Sequence, residues 1–374
     1  MTPLAEKLAA RIRANGPITV ADYMAACLGD PEHGYYVRRE PFGRGGDFIT
    51  APEVSQMFGE LIGAWCVATW EGMGAPAPFV LAELGPGRGT LMADLLRAAR
   101  IRPRFIDGAR VHLVEMSPRL RDLQRVQLTQ SAERLAWLDQ VDNLPPGPMI
   151  LVANEFFDAL PIRQFVRTPD GWAERMVGLA EDGELAFGLR PAHQPLLDLS
   201  SAAFHTDDDA APTLHETRLP VVEISAARTA VLHTVAERLG AAGGAALVID
   251  YGYEGPGYGD TLQAVRQHQY DDPLAAPGEA DMTAHVDFAA LGQAARASGA
   301  APRALINQGE FLYRLGLAER ASELSRDKDA ETRRASAAAV ERLVGPASMG
   351  KLFKVLALSS PGLALPVFDD MSGE

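Results

Sequence analysis

The stretch that decides the fold is residues 79–90, Phe79-Val80-Leu81-Ala82-Glu83-Leu84-Gly85-Pro86-Gly87-Arg88-Gly89-Thr90. Its first half is apolar except for one acid, a pattern typical of a strand buried on both faces. From Thr90 onward, leucines recur at helical spacing. The glycines are therefore predicted to lie at a strand-to-helix turn, where a ligand can approach bare backbone and the N–H groups of a helix N-terminus.

The acids near this turn favour one kind of ligand over another. The spacing is G-x-G-x-G, not the G-x-G-x-x-G of dinucleotide-binding loops, and Glu83 precedes Gly85 by two residues. A carboxylate there suits an ammonium and repels a pyrophosphate. The next predicted strand ends at Glu115, which can accept hydrogen bonds from ribose hydroxyls. Together these features describe S-adenosylmethionine better than NAD. A tight strand–helix connection in another α/β protein is the alternative.

Residues 79–158 are predicted to alternate between strands, at 79–84, 110–115, 135–138 and 149–153, and helices, at 90–101 and 117–130. Such alternation predicts a parallel sheet with helices on both faces. Ligands of open α/β sheets lie beyond the carboxyl ends of the strands. Glu83, Glu115, Asn154 and Glu155 are therefore expected to converge on one crevice. The predicted fold class is α/β, a Rossmann-like sheet with an N-terminal helical segment and inserted β-rich and helical additions.

The remaining chain is predicted to add to this sheet. Residues 1–75 are interpreted as an N-terminal helical lid segment with helices at 2–15, 18–28 and 58–71. Residues 76–374 are interpreted as the cofactor-binding domain, with an insertion at about 163–220 and a helical addition at about 308–345. The glycine-rich loop 43–56 is expected to close the site through Thr50 and Ser55. A structural Ω-loop pinned by Asp47 and Thr50 fits its composition equally well.

Composition limits the function classes. The chain has 374 residues and a formal net charge of −14, which argues against non-specific nucleic-acid binding because phosphate contacts need clustered Lys and Arg. Cys27 and Cys66 lack metal spacing and are expected to be buried thiols in a reducing compartment. No metal site is expected. No apolar run reaches about 20 residues, so no membrane insertion is expected. Cytoplasm is the expected compartment, or the mitochondrial matrix for a eukaryotic protein.

Several short blocks together resemble one known family: 34–36, 46–53, 56–60, 83–89, 154–161, 259–262, 281–288 and 349–355. The set is similar to the MidA-like family of S-adenosylmethionine-dependent methyltransferases, whose mitochondrial members are complex I assembly factors. The likeness covers nearly the whole chain except about residues 190–220. It implies the class I methyltransferase fold and S-adenosyl-L-methionine as cofactor.

The resemblance also implies a substrate. The family's activity is protein-arginine N-methylation, with symmetric dimethylation of an arginine in the NuoD-type (49-kDa) subunit of NADH:quinone oxidoreductase. The implied partner is thus a protein substrate, a respiratory complex I subunit, with no nucleic acid. A homodimer is compatible with this interpretation. A non-mitochondrial member can have a different target.

The expected cofactor-binding residues follow from the strand ends and the loop. Glu83 is expected to face the amino-acid end of the cofactor, the backbone of the glycine turn its carboxylate, and Glu115 its ribose. Gln140 and Val141 are expected beside the adenine. The full set is Glu83, Gly85, Gly87, Gly89, Glu115, Met116, Gln140, Val141, Asn154, Thr50 and Ser55.

Glu155 and Asp158 are the candidate catalytic residues. An arginine nucleophile is protonated at neutral pH, so carboxylates are needed to orient its guanidinium as the proton leaves. A loop cap or a cofactor contact is the alternative for both residues. Asp250, Asp281 and Asp287 are the fallback candidates.

Three other functions stay open at this point. A dinucleotide-dependent oxidoreductase predicts NAD(P) binding and no S-adenosylmethionine binding. An assembly chaperone predicts cofactor binding without catalysis. A methyltransferase acting on a small molecule or on DNA predicts another substrate.

Overall fold

The structure, a computed structural model, describes residues 1–38, 50–129, 135–192, 220–255, 259–267 and 269–369. These residues group into two compact units, each assembled from separate stretches of chain. Unit 1 draws on 1–39, 159–228 and 253–289, and unit 2 on 40–158, 229–252 and 290–374. Part of the predicted lid loop (43–49) and most of the proline-rich end of the predicted insertion (193–219) lie outside the described residues. The interpretation of residues 1–75 as a lid stays a prediction.

The helices, in chain order, are α1 Pro3–Asn15, α2 Val20–Gly29, α3 Tyr35–Arg38, α4 Ala51–Val54, α5 Gln56–Gly72, α6 Thr90–Ala99, α7 Pro103–Gly108, α8 Pro118–Gln127, α9 Ala226–Ala242, α10 Phe288–Ala297, α11 Gln308–Arg314, α12 Leu317–Ser325, α13 Ala330–Val344 and α14 Met349–Leu352. The strands are β1 Ile18–Thr19, β2 Phe79–Leu84, β3 Ala109–Val114, β4 Leu135–Leu138, β5 Met149–Asn154, β6 Arg163–Thr168, β7 Gly171–Leu179, β8 Leu185–Pro191, β9 Val221–Ile224, β10 Gly244–Tyr253, β11 Gln263–Arg266, β12 Gln269–Asp271, β13 Asp281–Thr283, β14 Val286–Asp287, β15 Ala301–Pro302, β16 Ile306–Asn307 and β17 Phe353–Ser359.

Unit 2 is built on a mostly parallel sheet with the strand order β15-β17-β10-β5-β2-β3-β4. The pairs from β10 to β4 are parallel, and β17 runs antiparallel to β10. Leu84, the last residue of β2, pairs with Val114 on one side and Ala153 on the other. The predicted α/β fold class is confirmed. After β2 the chain forms β3 and β4 on one side of β2 and then crosses to form β5 on its other side. In open α/β sheets the ligand-binding crevice lies where the strand order reverses, here at the carboxyl ends of β2 and β5.

Burial explains why this sheet forms. Every residue of β2 and β5 is buried, as expected for strands covered by helices on both faces. Helix α5 packs closely on α6, because a Cβ on Gly59 would lie 2.6 Å from the Cβ of Asp94 and one on Gly63 would lie 2.9 Å from the Leu95 carbonyl oxygen. The core around these elements includes Phe58 and Trp65, both fully buried. This packing fixes the strand ends that carry the site.

Unit 1 contains an antiparallel sheet of order β1-β7-β6-β9, with β8 also paired to β7, and a small sheet β12-β11-β13. Helices α1 and α2 contribute Leu8, Tyr23 and Met24 to its core. Two details differ from the sequence predictions. Residues 18–19 pair with β7 instead of opening a helix, and β11 to β13 form an unpredicted sheet. Residues 318–344, for which one helix or two in succession were predicted, divide into α12 and α13.

Two predictions from composition, one on the cysteines and one on membrane-spanning helices, can be compared with the described residues. Cys27 and Cys66 are both free and buried, as predicted. No helix in the described ranges is both long enough and apolar enough to cross a bilayer.

Neighbouring glycines at the start of β10 give a test of the sheet. Gly244 has φ +131°, and a Cβ there would lie 1.9 Å from the Met149 carbonyl oxygen, whereas Gly243, at φ +80°, has nothing within 4 Å. We expect Gly244→Ala to lower the free energy of unfolding by about 3 kcal/mol or more, because it adds a clash with β5 to the backbone strain. Gly243→Ala should cost only about 1 kcal/mol. Urea unfolding of both variants measures this, and equal losses would contradict the described pairing.

Candidate functional site

The glycine turn after β2 is held in a conformation that favours glycine. Gly85, Gly87 and Gly89 have φ values of +61°, +53° and +84°. The Gly85 N–H donates to the Val114 carbonyl at 3.0 Å, which ties the turn to β3. A Cβ on Gly85 would also lie 2.9 Å from Cδ2 of Phe156. The φ values of the turn and the close approach of Phe156 therefore both favour glycine at these positions.

The turn leads directly into α6, and Gly89 is the N-cap residue of that helix. Gly89 has no side chain with which to cap this helix end. The first N–H groups of an α-helix lack partners within the helix and carry a partial positive charge. The end of α6 is thus suited to an anionic group such as a carboxylate.

A cleft of about 390 Å³, open to solvent, lies over the turn. Its lining includes six predicted site residues, namely Thr50, Glu83, Gly85, Gly87, Asn154 and Glu155. The ends of β2 and β5 thereby meet in one crevice, as the parallel sheet requires. The rest of its lining is Pro52, Glu53, Pro86, Arg88, Thr90 and Leu91.

Two residues of the cleft lining, Glu83 and Asn154, each have a buried oxygen without a donor among the described residues. Glu83 is 3% exposed and Asn154 8%, yet Oε2 of Glu83 and Oδ1 of Asn154 have no hydrogen-bond donor among the described residues. Burial raises the pKa of Glu83 to about 8, and the backbone N–H of Met92 opposes that shift. A buried acceptor without a donor costs free energy. A ligand with several N–H donors, such as an ammonium group, satisfies both acceptors.

Glu155 occupies a strained position at the end of β5. Its φ is +51°, a left-handed value that is uncommon for a residue with a side chain. Its Oε1 accepts the Ala51 N–H at 3.2 Å and an Nδ2–H of Asn154 at 3.1 Å. Burial and the charge of Asp158 raise the pKa of Glu155 to about 7. Strain of this kind persists only where the surrounding structure enforces it, and it is frequent at functional sites.

Asp158 lies apart from the cleft lining. It is 5% exposed, and its Oδ2 accepts the hydroxyl of Tyr251 at 2.5 Å. Asp250 accepts the backbone N–H groups of Phe157 and Asp158 at 3.0 and 3.1 Å. Asp250 thus stabilises the turn that carries both catalytic candidates.

Glu115 is placed by two hydrogen bonds at the end of β3. Its Oε1 accepts the Ser117 N–H at 2.8 Å, and its Oε2 accepts Nε2–H of Gln124 at 3.3 Å. Burial raises the pKa of Glu115, and these donors oppose the shift. Met116, the next residue, is 67% exposed. Neither residue lines the cleft described above.

Other predicted residues have local structural contacts. Ser55 caps α5 by accepting the Met57 N–H at 3.2 Å. Gln140 is exposed and Val141 is buried beside it at the start of a short 3₁₀ helix, Val141–Asn143. Asp281, a fallback candidate in unit 1, accepts the hydroxyl of Tyr36 at 3.0 Å. Ser55, Gln140, Val141 and Gly89 do not line the cleft.

The sequence reasoning did not assign a site role to Glu53 and Thr90. The Thr90 hydroxyl donates to Oε1 of Glu53 at 2.6 Å, which joins α4 to the start of α6. Arg88 lies 3.9 Å from Glu53. In the sequence, the only indication of a site role for Glu53 was its position in the block 46–53, one of those that carry the family resemblance. Within the described ranges, no group of His, Cys, Asp and Glu is arranged to hold a metal ion.

Curated relatives share most of the chain. The mitochondrial protein arginine methyltransferase NDUFAF7 of Danio rerio is 36% identical over 370 residues, covering 93% of this chain and 84% of its own. NDUFAF7 of Homo sapiens is 36% identical over 383 residues, covering 96% of this chain and 83% of its own.

A crystal structure from Burkholderia thailandensis, bound to S-adenosyl-homocysteine, matches with a TM-score of 0.82 and 31% identity over 98% of this chain and 94% of that one. The model of an S-adenosyl-L-methionine-dependent methyltransferase family matches residues 61–306. The cofactor inferred from the acids and glycines is therefore confirmed. The chain belongs to the MidA-like family of S-adenosyl-L-methionine-dependent methyltransferases.

Proposed function

We propose that this methyltransferase modifies an arginine side chain of a protein, and that Glu155 orients the guanidinium. The observation that carries the proposal is the position of Glu155, a strained and partly buried carboxylate in the lining of the same cleft as the glycine turn. The relatives are named protein arginine methyltransferases, which supports the same substrate class.

The cofactor is proposed to bind along the edge formed by the ends of β2, β3 and β5. Glu83 and Asn154 receive its ammonium, and the N-terminus of α6 receives its carboxylate. Glu115 receives the ribose, with Met116, Gln140 and Val141 around the adenine. Thr50 and Ser55 belong to the segment that closes the site. Bound S-adenosylmethionine supplies an electrophilic methyl group.

Glu155 is suited to orienting the arginine nucleophile and accepting its proton. A free guanidinium stays protonated because its pKa exceeds about 12, so a lone pair becomes available only as a proton leaves. A carboxylate can bind two guanidinium N–H groups at once and fix the plane of the nucleophile. The pKa of Glu155, about 7, allows it to accept a proton near neutral pH. Burial, with a smaller contribution from the charge of Asp158, keeps the pKa of Glu155 high, and Asp158 is proposed as the supporting acid.

The proposed target is an arginine of the NuoD-type subunit of NADH:quinone oxidoreductase, which becomes symmetrically dimethylated. The net charge of −14 suits a basic partner surface. The relatives are named mitochondrial, so the matrix is the proposed compartment for a eukaryotic protein and the cytoplasm for a bacterial one. A homodimer stays a prediction.

Incubation of the full chain with labelled S-adenosylmethionine and a purified NuoD-type subunit tests the proposal. Mass spectrometry should find the label on one arginine. Label on a small molecule or on DNA, with none on protein, would overturn the substrate class. An assembly chaperone is distinguished by Glu83→Ala: loss of cofactor binding with complex I assembly intact would remove the catalytic interpretation.

Replacement of Glu83 should change the pH dependence of stability. The pKa of Glu83 is about 8 in the folded chain against an ordinary 4.5, so the folded state holds a proton that the unfolded state has lost between these values. The free energy of unfolding should therefore fall as pH rises from 5 to 8. In Glu83→Gln this fall should be smaller. At pH 8 the free energy of unfolding of the variant should therefore exceed that of the parent by about 1–3 kcal/mol.

Urea unfolding at pH 5 and pH 8, without ligand, measures this difference. The exposed residue Glu6 provides the matched control Glu6→Gln, which should follow the parent at both pH values. Identical pH dependence in Glu83→Gln and the parent would contradict the burial argument.

Replacement of Glu155 should affect turnover more than cofactor affinity. Glu155→Gln keeps the size of the side chain but removes the charge that orients the guanidinium, so we expect kcat to fall by about 100-fold or more. The Kd for S-adenosylhomocysteine should change less than about threefold, since the ammonium contacts belong to other residues. The parent rate should rise with pH through about 7, as Glu155 ionises. Parent-like turnover by Glu155→Gln would exclude this role.

A further inference from the structure

We propose that Gln124, on α8, is a positioning residue that holds Glu115 and the glycine turn at a fixed separation for cofactor binding. The proposal rests on the proposed roles of Glu115 and the turn. Gln124 is fully buried, and its amide makes hydrogen bonds to three separate elements: the glycine turn, the end of β3 and the strand β4.

The indole of Trp137 determines which way the amide points. Its Nε1–H donates to Oε1 of Gln124 at 2.8 Å. An indole N–H can only donate, so the amide oxygen must face Trp137. The amide nitrogen then faces the opposite side, where both of its hydrogens have acceptors. It lies 2.7 Å from the Gly87 carbonyl oxygen and 3.3 Å from Oε2 of Glu115.

These two acceptors belong to different halves of the proposed cofactor site. Gly87 is the middle glycine of the turn, with φ +53°, and Glu115 follows the last residue of β3. Helix α8 lies directly against the turn, because a Cβ on Gly89 would be 3.5 Å from Cγ of Gln124. One amide group therefore sets the distance between the backbone expected to face the cofactor's carboxylate and the acid expected to face its ribose.

The bond to Glu115 also fixes the carboxylate itself. Ser117 N–H holds one oxygen and Gln124 holds the other, so the carboxylate plane is set from two sides. A hydrogen bond to a charged acceptor is stronger than one between neutral groups. Gln124 is not part of the cleft lining and has no assigned contact with a ligand, so it acts through Glu115 and Gly87.

Titration calorimetry of the full chain with S-adenosylhomocysteine tests this role. Gln124→Met keeps the side-chain length but removes both donors, and we expect it to raise Kd about tenfold or more. In a Glu115→Gln background the same change should raise Kd at most about threefold, because part of its effect passes through the carboxylate. Such coupling between the two positions is not expected of a residue that only stabilises α8.

A packing control on the same helix separates positioning from stability. Leu120 is 3% exposed, and Leu120→Val should lower the melting temperature while leaving Kd within about twofold of the parent. If Gln124→Met does not fold, Gln124→Glu repeats the test, since it keeps the acceptor for Trp137 and can donate at most one hydrogen bond in place of two.

The outcomes distinguish this inference from the proposed cofactor site. If Glu115→Gln weakens binding but the Gln124 variant binds like the parent, the positioning role is wrong and the proposed site stands. An equal rise in Kd on replacing Gln124 in the parent and in the Glu115→Gln background also overturns the inference. If Glu115→Gln itself leaves Kd unchanged, the proposed ribose contact fails, and the role of Gln124 fails with it.

Discussion

The structure depends on a carboxylate that is buried at the end of β2 with one oxygen lacking a donor among the described residues. Glu83 cannot move out to solvent, because β2 is hydrogen-bonded to β3 and β5 on its two sides. Its burial costs free energy in the ligand-free chain and raises its pKa to about 8. A cationic ligand that supplies N–H donors removes much of that cost. In the proposed site, binding energy and specificity thus have a common origin in the placement of this one group.

The same edge of the sheet also carries the backbone strain of the site. Three glycines after β2 adopt left-handed conformations without steric cost, but Glu155 after β5 adopts one with a side chain. Ala51 and Asn154 hold that side chain in place, and Asp250 fixes the backbone that follows it. The rigid sheet therefore positions both the proposed cofactor contacts and the proposed catalytic acid, which is how an enzyme fixes reacting groups before the reaction begins.

Local sequence patterns were sufficient to predict the parts of the fold that depend on local chemistry. Strands β2 and β4 have the predicted bounds, because continuous burial and flanking turn residues define them. Glu83, Glu115, Asn154 and Glu155 were predicted to meet because parallel strands end at one edge of a sheet. Glu83, Asn154 and Glu155 line one cleft, whereas Glu115 is not part of its lining. Ser55 was assigned to the closing segment and stays a prediction there; its side chain also caps α5, a local role that any serine before a helix can have.

Features that depend on distant contacts could not be predicted in this way. The strands β11 to β13 are three or four residues long and are stabilised mainly by pairing with one another. Unit 1 combines three separate stretches of chain, a division that no composition shift indicates. The roles of Gln124 and Trp137 were also missed, because a buried amide and an indole carry no signal until their hydrogen-bond partners are known.

A crystal structure of this chain with S-adenosylhomocysteine is the most direct test of the account. We predict the ligand in the cleft beside Gly87, with its ammonium within hydrogen-bonding distance of Oε2 of Glu83 and Oδ1 of Asn154. A nucleoside bound elsewhere, with both oxygens still lacking a donor, would contradict it.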